Sequence, residues 1–258
     1  MKLRPLVIPV LLLCLGTTAR ADDWSKVFEV GAALGAYNND YGNSDFEFAR
    51  FVVAKANFNV IRVELSRASR FDDQGFGYGA WYSQYLPRGW MVMVGASAGT
   101  GDFIYPEHEY DAAVTKSMLE RKNLFLTVFY ARNHSKLANS FDRLGVNVEY
   151  RPGEHWILSA NLRNERGHPG GADSPGGGID AIWGTYRKRY FGGGIDYGDV
   201  AYLIVSENDA LVDYHRVEVH GTVQWYVKDT SGWNAKASFE HNDNYDLGMV
   251  MGSWFWEW

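Results

Sequence analysis

The sequence predicts an all-β protein of one domain, a transmembrane antiparallel up-and-down β-barrel. Three observations carry the prediction. Apolar and polar residues alternate with period 2 in repeated runs, and many of the runs reach 10–13 residues. Strands of soluble sandwiches are usually ~5–6 residues long, whereas a tilted membrane strand needs ~9–11. The links between runs alternate between tight turns and longer polar segments, the plan of an outer-membrane barrel.

The first segment stands apart from this pattern. MKLRPLVIPVLLLCLGTTARA has a basic start at Lys2 and Arg4, an apolar run from Leu6 to Leu15, and an Ala19-Arg20-Ala21 cleavage site. It reads as a secretory signal peptide over 1–21, cleaved near Ala21 and exported by the Sec pathway; the run is too short for a spanning helix. The barrel domain then covers 22–258. Removing Lys2, Arg4 and Arg20 from the 25 basic residues leaves 22 against 31 acidic ones, a net of −9. Such a balance argues against nucleic acid as a partner. The single cysteine, Cys14, leaves with the signal, so the exported chain has neither disulfides nor a Cys/His zinc framework.

Fourteen runs follow, beginning near Trp24, Phe46, Phe58, Phe76, Trp90, Tyr110, Leu124, Phe141, Trp156, Ile179, Gly192, Tyr214, Trp233 and Leu247. Merging two of them gives twelve as the alternative, with the glycine-rich stretch 190–200 the weakest boundary. In FNVIRVELS, Ile61, Val63 and Leu65 oppose Arg62, Glu64 and Ser66. In RLGVNVEYR, Leu144, Val146, Val148 and Tyr150 oppose Arg143, Asn147, Glu149 and Arg151. In HWILSANLRNE, Trp156, Leu158, Ala160 and Leu162 oppose Ser159, Asn161, Arg163 and Glu165. In VEVHGTVQWYV, Val217, Val219, Val223, Trp225 and Val227 oppose Arg216, Glu218, His220, Thr222 and Gln224.

Within a bilayer every backbone polar group must be paired inside the protein, which only helices and closed barrels achieve. The apolar faces are therefore expected to meet lipid. Arg62, Glu64, Arg143, Asn147, Glu149, Asn161, Arg163, Glu165, Arg216, Glu218, His220 and Gln224 are expected to line the lumen. Trp24, Trp90, Trp156, Trp233 and Trp258 fall at run ends on the short-turn side, where an aromatic girdle belongs. The longer segments NNDYGNSD, RFDDQG, GTGDFIYPEHE, NHSKLANS, RGHPGGADSPGG, SENDA and EHNDNYD are expected as loops on the opposite side, with Gly170–Gly178 a flexible one.

The closing stretch LGMVMGSWFWEW places Gly248, Val250, Gly252, Trp254, Trp256 and Trp258 on one face. Its aromatic end is expected to be lipid-facing, with Trp254, Trp256 and Trp258 serving as the signal for the barrel-insertion machinery.

Motifs with catalytic precedent carry little here. Gly95-Ala96-Ser97-Ala98-Gly99 matches G-x-S-x-G, but that motif works on a strand-to-helix turn, and this run reads as strand throughout. GFGYG at 75–79 leads into a strand, so it is no phosphate cradle on a helix N-terminus. Its glycines are expected to ease curvature and to be covered by neighbouring rings. His108 with Glu107, Glu109 and Asp111, and His241 with Asp243 and Asp246, read as solvated acidic loop groups. No catalytic, cofactor or metal residue is assigned.

The segments SDFEFARFVVAKANFNVIRVELSRASR, GAWYSQYLPRGWMVMVGASAG, FIYPEHEYDAAVTKSMLERKNLFLTVFYARNHS and NYDLGMVMGSWFWEW resemble the YaiO-like outer membrane β-barrel proteins over essentially the whole exported chain. The resemblance implies outer-membrane location in a Gram-negative bacterium and a loose association with surface or exported polysaccharide. It brings no catalytic or ligand residues. Lipid, lipopolysaccharide, periplasmic chaperones and the insertion machinery are the expected partners. A non-enzymatic narrow pore or assembly component is the leading function. A barrel-embedded hydrolase or acyl-modifying enzyme, and a soluble periplasmic β-sandwich or lectin, are the alternatives.

Overall fold

The computed structural model describes residues 24–38, 41–55, 59–119, 123–137, 140–169, 173–206 and 209–258, with the backbone alone over 201–213. The signal peptide, the Phe58 start and the turn at Ala56 lie outside these residues.

Fourteen strands run in chain order: β1 (Trp24–Tyr37), β2 (Asn43–Lys55), β3 (Asn59–Arg70), β4 (Asp73–Leu86), β5 (Trp90–Gly99), β6 (His108–Met118), β7 (Leu124–His134), β8 (Ser140–Tyr150), β9 (Trp156–His168), β10 (Asp173–Thr185), β11 (Arg189–Ser206), β12 (Asp209–Lys228), β13 (Ser231–Asn242) and β14 (Asp246–Glu257). Each pairs antiparallel with its sequence neighbours, and β14 returns to β1 to close the barrel. Twelve strands are thereby excluded. The glycine-rich stretch at 190–200 belongs to the single strand β11.

Closure leaves no open sheet edge, so the backbone is satisfied without water. The seam runs from Val27 opposite Glu257 to Tyr37 opposite Leu247. It extends to Trp258, whose N–H donates to the Lys26 carbonyl at 3.0 Å and whose carbonyl accepts from the Lys26 N–H at 2.8 Å.

The outer wall is apolar between two aromatic belts. At the end that carries Trp24 and Trp258, here the terminal end, Trp24, Trp90, Trp156 and Trp258 are all exposed. Trp225 stacks on Trp233 at 6.4 Å, Trp183 on Phe191 at 6.2 Å and Phe28 on Trp256 at 5.9 Å. Towards the opposite end, the loop end, Phe76, Tyr78, Tyr110, Tyr130, Tyr197 and Phe239 are exposed. Leu34, Leu65, Val94, Leu162, Ile179 and Val250 occupy the exposed band of the wall. Amphipathic rings at two heights with aliphatic side chains between them match a bilayer slab with two interfaces.

The loops differ from expectation. β3 passes to β4 through only Phe71 and Asp72, both at positive φ (54° and 60°), and RFDDQG is a tight turn. β10 begins at Asp173, so most of the glycine run expected as a loop is strand. The strands grow past the ~9–11 residues a membrane needs and carry their polar ends out of the slab. The longest non-strand segment among the described residues joins β5 to β6.

Candidate functional site

Side chains of one parity on each strand face the lumen, and neighbouring strands set them side by side. Directly opposed residues sit about 4.5–5.5 Å apart at Cβ, so an Arg on one strand reaches a carboxylate on the next. The result is a wall of cross-strand charge pairs. Arg50 on β2 bridges Glu29 on β1 at 3.1 Å and Glu64 on β3 at 2.8 Å. Arg143 on β8 meets Glu165 on β9 at 2.7 Å. Asp196 on β11 binds Arg163 on β9 at 2.6 Å and Arg216 on β12 at 2.7 Å, and Arg216 also reaches Glu240 on β13 at 3.5 Å. Across strands, Lys236 meets Glu218 at 3.2 Å and His220 meets Asp180 at 3.0 Å; Arg151 meets Glu149, two residues back along its own chain, at 2.6 Å.

The remaining polar residues singled out in the sequence lie on the same wall. Asn161 Oδ1 accepts from Arg163 Nη1 at 3.0 Å, Asn147 lines the cavity, and Gln224 stands beside Asn234 and Tyr190. Glu29, Arg50, Asp180, Asp196, Lys236 and Glu240 were not singled out. Glu29 had a visible signal, as the one acid between Val27 and Leu34. The others gain their roles from register, which sequence alternation does not encode.

Arg62 departs from the pairing rule. Its guanidinium lies 3.8 Å from the Trp81 ring centre, a cation–π contact. The Trp81 Nε1–H donates to Asp111 Oδ2 at 3.0 Å. That reach crosses β5 at Gly95, where a Cβ would stand 2.0 Å from Trp81 Cδ1. Four of the five glycines of GASAG and GFGYG are thus floors under rings: Trp81 covers Gly95 and Gly79, and Tyr105 covers Gly77 and Gly99, while Gly75 lies against the Thr100 carbonyl and Ile104. Ser97 lies on the cavity wall within strand β5, with no histidine paired to its hydroxyl among the described residues.

The histidine groups divide between the two faces. The His108 and His134 rings pack at 4.4 Å, tilted by 31°, while Asp111 lines the lumen on the other side of β6. His241 pairs with Asp246 at 2.6 Å. Among the described residues no three His, Cys, Asp or Glu side chains gather as metal ligands.

The lumen holds a cavity of about 1160 Å³. Its lining runs from Tyr85, Arg88 and Phe125 near the terminal end to Arg70, Ile104 and Tyr105 near the loop end. The loop-end mouth narrows from two sides. On one side Tyr37, Tyr41, Phe71 and Tyr245 pack at ring distances of 5.0–6.3 Å, anchored by the Tyr245 hydroxyl donating to Glu240 Oε1 at 3.0 Å. These contacts hold Phe71 in its left-handed conformation, which costs a non-glycine residue on the order of 1–3 kcal/mol. On the other side the β5–β6 segment turns inward, and the Tyr105 hydroxyl donates to Ser66 Oγ at 2.9 Å. Burial pushes the Tyr105 phenol up, and burial pushes the Lys136 ammonium of the neighbouring loop down against the pull of Asp73, Asp102 and Glu107.

Solved barrels share this architecture. The crystal structure of the Acinetobacter baumannii outer membrane protein Omp33 aligns over 89% of this chain and 97% of its own, with TM-score 0.57 and 13% identity. The CymD monoaromatic hydrocarbon channel aligns over 92% and 88%, with TM-score 0.63 and 6% identity. The P. putida toluene transporter TodX aligns over 91% and 90%, with TM-score 0.59 and 10% identity. At these identities the likeness shows the fold alone. No curated protein sequence matches. Residues 25–203 match the family described as YaiO membrane beta barrel domain. The match covers more than half of a chain that folds as a closed fourteen-strand barrel between two aromatic belts, and the chain belongs to that outer-membrane barrel family.

Proposed function

We propose that the protein is a non-enzymatic, narrow channel of the outer membrane for small polar solutes. The terminal end faces the periplasm and the loop end the exterior, following the barrel plan of short turns and both chain ends inside. The observation that carries this reading is the lumen cavity, whose lining includes residues near both rims. A wall of paired charges offers a passing polar solute many weak hydrogen-bonding sites and no deep trap, as conduction requires. The mixed sign of the pairs favours solutes with little net charge over strongly charged ones. Polysaccharide association, implied by the family resemblance, fits as export or uptake of short glycan pieces rather than of polymer, given the narrowed mouth.

Liposome swelling tests the reading. Proteoliposomes swell in isotonic monosaccharide and progressively less with longer oligosaccharides. Failure to swell in any sugar, with the barrel shown to be folded by heat-modifiable gel migration, removes the channel.

A further inference from the structure

We propose that the segment 100–107 between β5 and β6 is a gate over the loop-end mouth, and that Asp73 is its latch; the proposal rests on the channel reading above. The segment is pinned to the wall at its two ends. Thr100 N–H donates to the Phe76 carbonyl at 2.8 Å, and Glu107 N–H to the His134 carbonyl at 2.9 Å. Between those pins it belongs to no strand. Its middle is held by one carboxylate: Asp73 accepts the backbone N–H groups of Asp102 at 3.1 Å, Phe103 at 2.8 Å and Ile104 at 2.7 Å. Asp73 is the first residue of β4, fixed by the tight turn after Phe71, so the acceptor does not move with the segment.

The inward side is shaped to receive it. Ile104 is 9% exposed, and Ile104, Tyr105 and Pro106 line the cavity. Tyr105 lies flat on β4 and β5 because Gly77 and Gly99 leave room. A Cβ at Gly77 would stand 2.5 Å from the Tyr105 ring, and one at Gly99 would stand 2.6 Å from Tyr105 Cβ. The Tyr105–Ser66 hydrogen bond and a Lys136 ammonium donating to the Gly101 carbonyl complete the hold. A segment fixed at both ends, with a centre kept by a few side-chain contacts, opens as one unit when the main contact is lost. The aromatic cluster across the mouth differs, since Tyr37 stands on β1 and Tyr245 is tied to Glu240. Release of the segment therefore widens the mouth on the β3–β5 side.

The test compares the wild type, Asp73→Asn and Tyr105→Ala, each with its heat-modifiable migration checked. Two measurements are made: single-channel conductance with polyethylene glycols of graded size, and chymotrypsin cleavage at Phe103. Both variants are expected to raise conductance by roughly twofold or more, because flow through a pore is set by its narrowest section, and to admit larger glycols. Asp73→Asn is also expected to expose Phe103 to cleavage where the wild type is protected. If the wild type conducts and both variants match it, the gate is overturned while the channel stands. If no form conducts, the channel reading fails and cleavage decides: equal protection in wild type and Asp73→Asn overturns the latch, and cleavage of the variant alone upholds it.

Discussion

Ser253 donates its hydroxyl to Glu29 Oε1 at 2.6 Å, across the seam where β14 meets β1. The same carboxylate accepts from Asn234 on β13 at 2.8 Å and pairs with Arg50 on β2. One buried side chain therefore ties four consecutive strands around the closure point, β13, β14, β1 and β2.

Glu29→Ala removes that tie and leaves Ser253 and Asn234 with their mutual hydrogen bond at 3.3 Å in place of the carboxylate. Arg50 keeps Glu64, so the cost is that of the unmet hydrogen bonds, about 1–3 kcal/mol. The expected outcome is a lower temperature for conversion of the folded gel band to the unfolded one. Arg143→Ala, away from the seam, removes the ion pair with Glu165 and should cost a similar amount without loosening β14. Cysteine accessibility at position 253 separates the two, rising only in the Glu29 variant.

Deleting Trp258 removes two backbone hydrogen bonds to Lys26 and a ring contact with Phe51 at 6.3 Å. With Trp254 and Trp256 it forms the aromatic close that we propose the insertion machinery reads. The deletion is expected to lower sharply the fraction of protein that resists urea washing of membranes. Insertion at the wild-type level refutes the proposed role.

Gly95→Val drives a side chain into Trp81, whose Cδ1 lies 2.0 Å from the position of a Cβ. The indole must leave, and with it the hydrogen bond to Asp111 and the platform under Arg62. Overpacking of this kind costs about 1–3 kcal/mol. Ala96→Val, one residue on and facing out, should stay within about 0.5 kcal/mol. Thermal conversion on gels ranks the two, and equal midpoints would show that Trp81 has another place to go.

Ser97→Ala is expected to change neither conductance nor stability measurably, because Ser97 sits within strand β5 with no histidine partner among the described residues. A fluorophosphonate probe should label neither form. Labelling of the wild type that disappears in Ser97→Ala would restore the hydrolase alternative.

Much of the barrel was legible because alternation is a local property. The runs around Val146, Leu158 and Val219 announce their lipid faces residue by residue, and fourteen such runs give the strand count. The run at 173–178 failed as a prediction because glycines carry no side chain to alternate, so strand and loop look alike there. Asp73 and Tyr105 were hidden for a different reason. Each read as part of a polar loop, and their partners lie about 30 and 39 residues away along the chain. Trp81 reaching Asp111 across Gly95 is likewise a product of register, invisible until three strands are laid side by side.

Planar-bilayer recording of the purified, folded barrel tests the central claim most directly. The lumen described here predicts discrete conductance steps whose size falls when polyethylene glycol small enough to enter is added. A folded barrel that remains ion-tight at every voltage and salt concentration would contradict it.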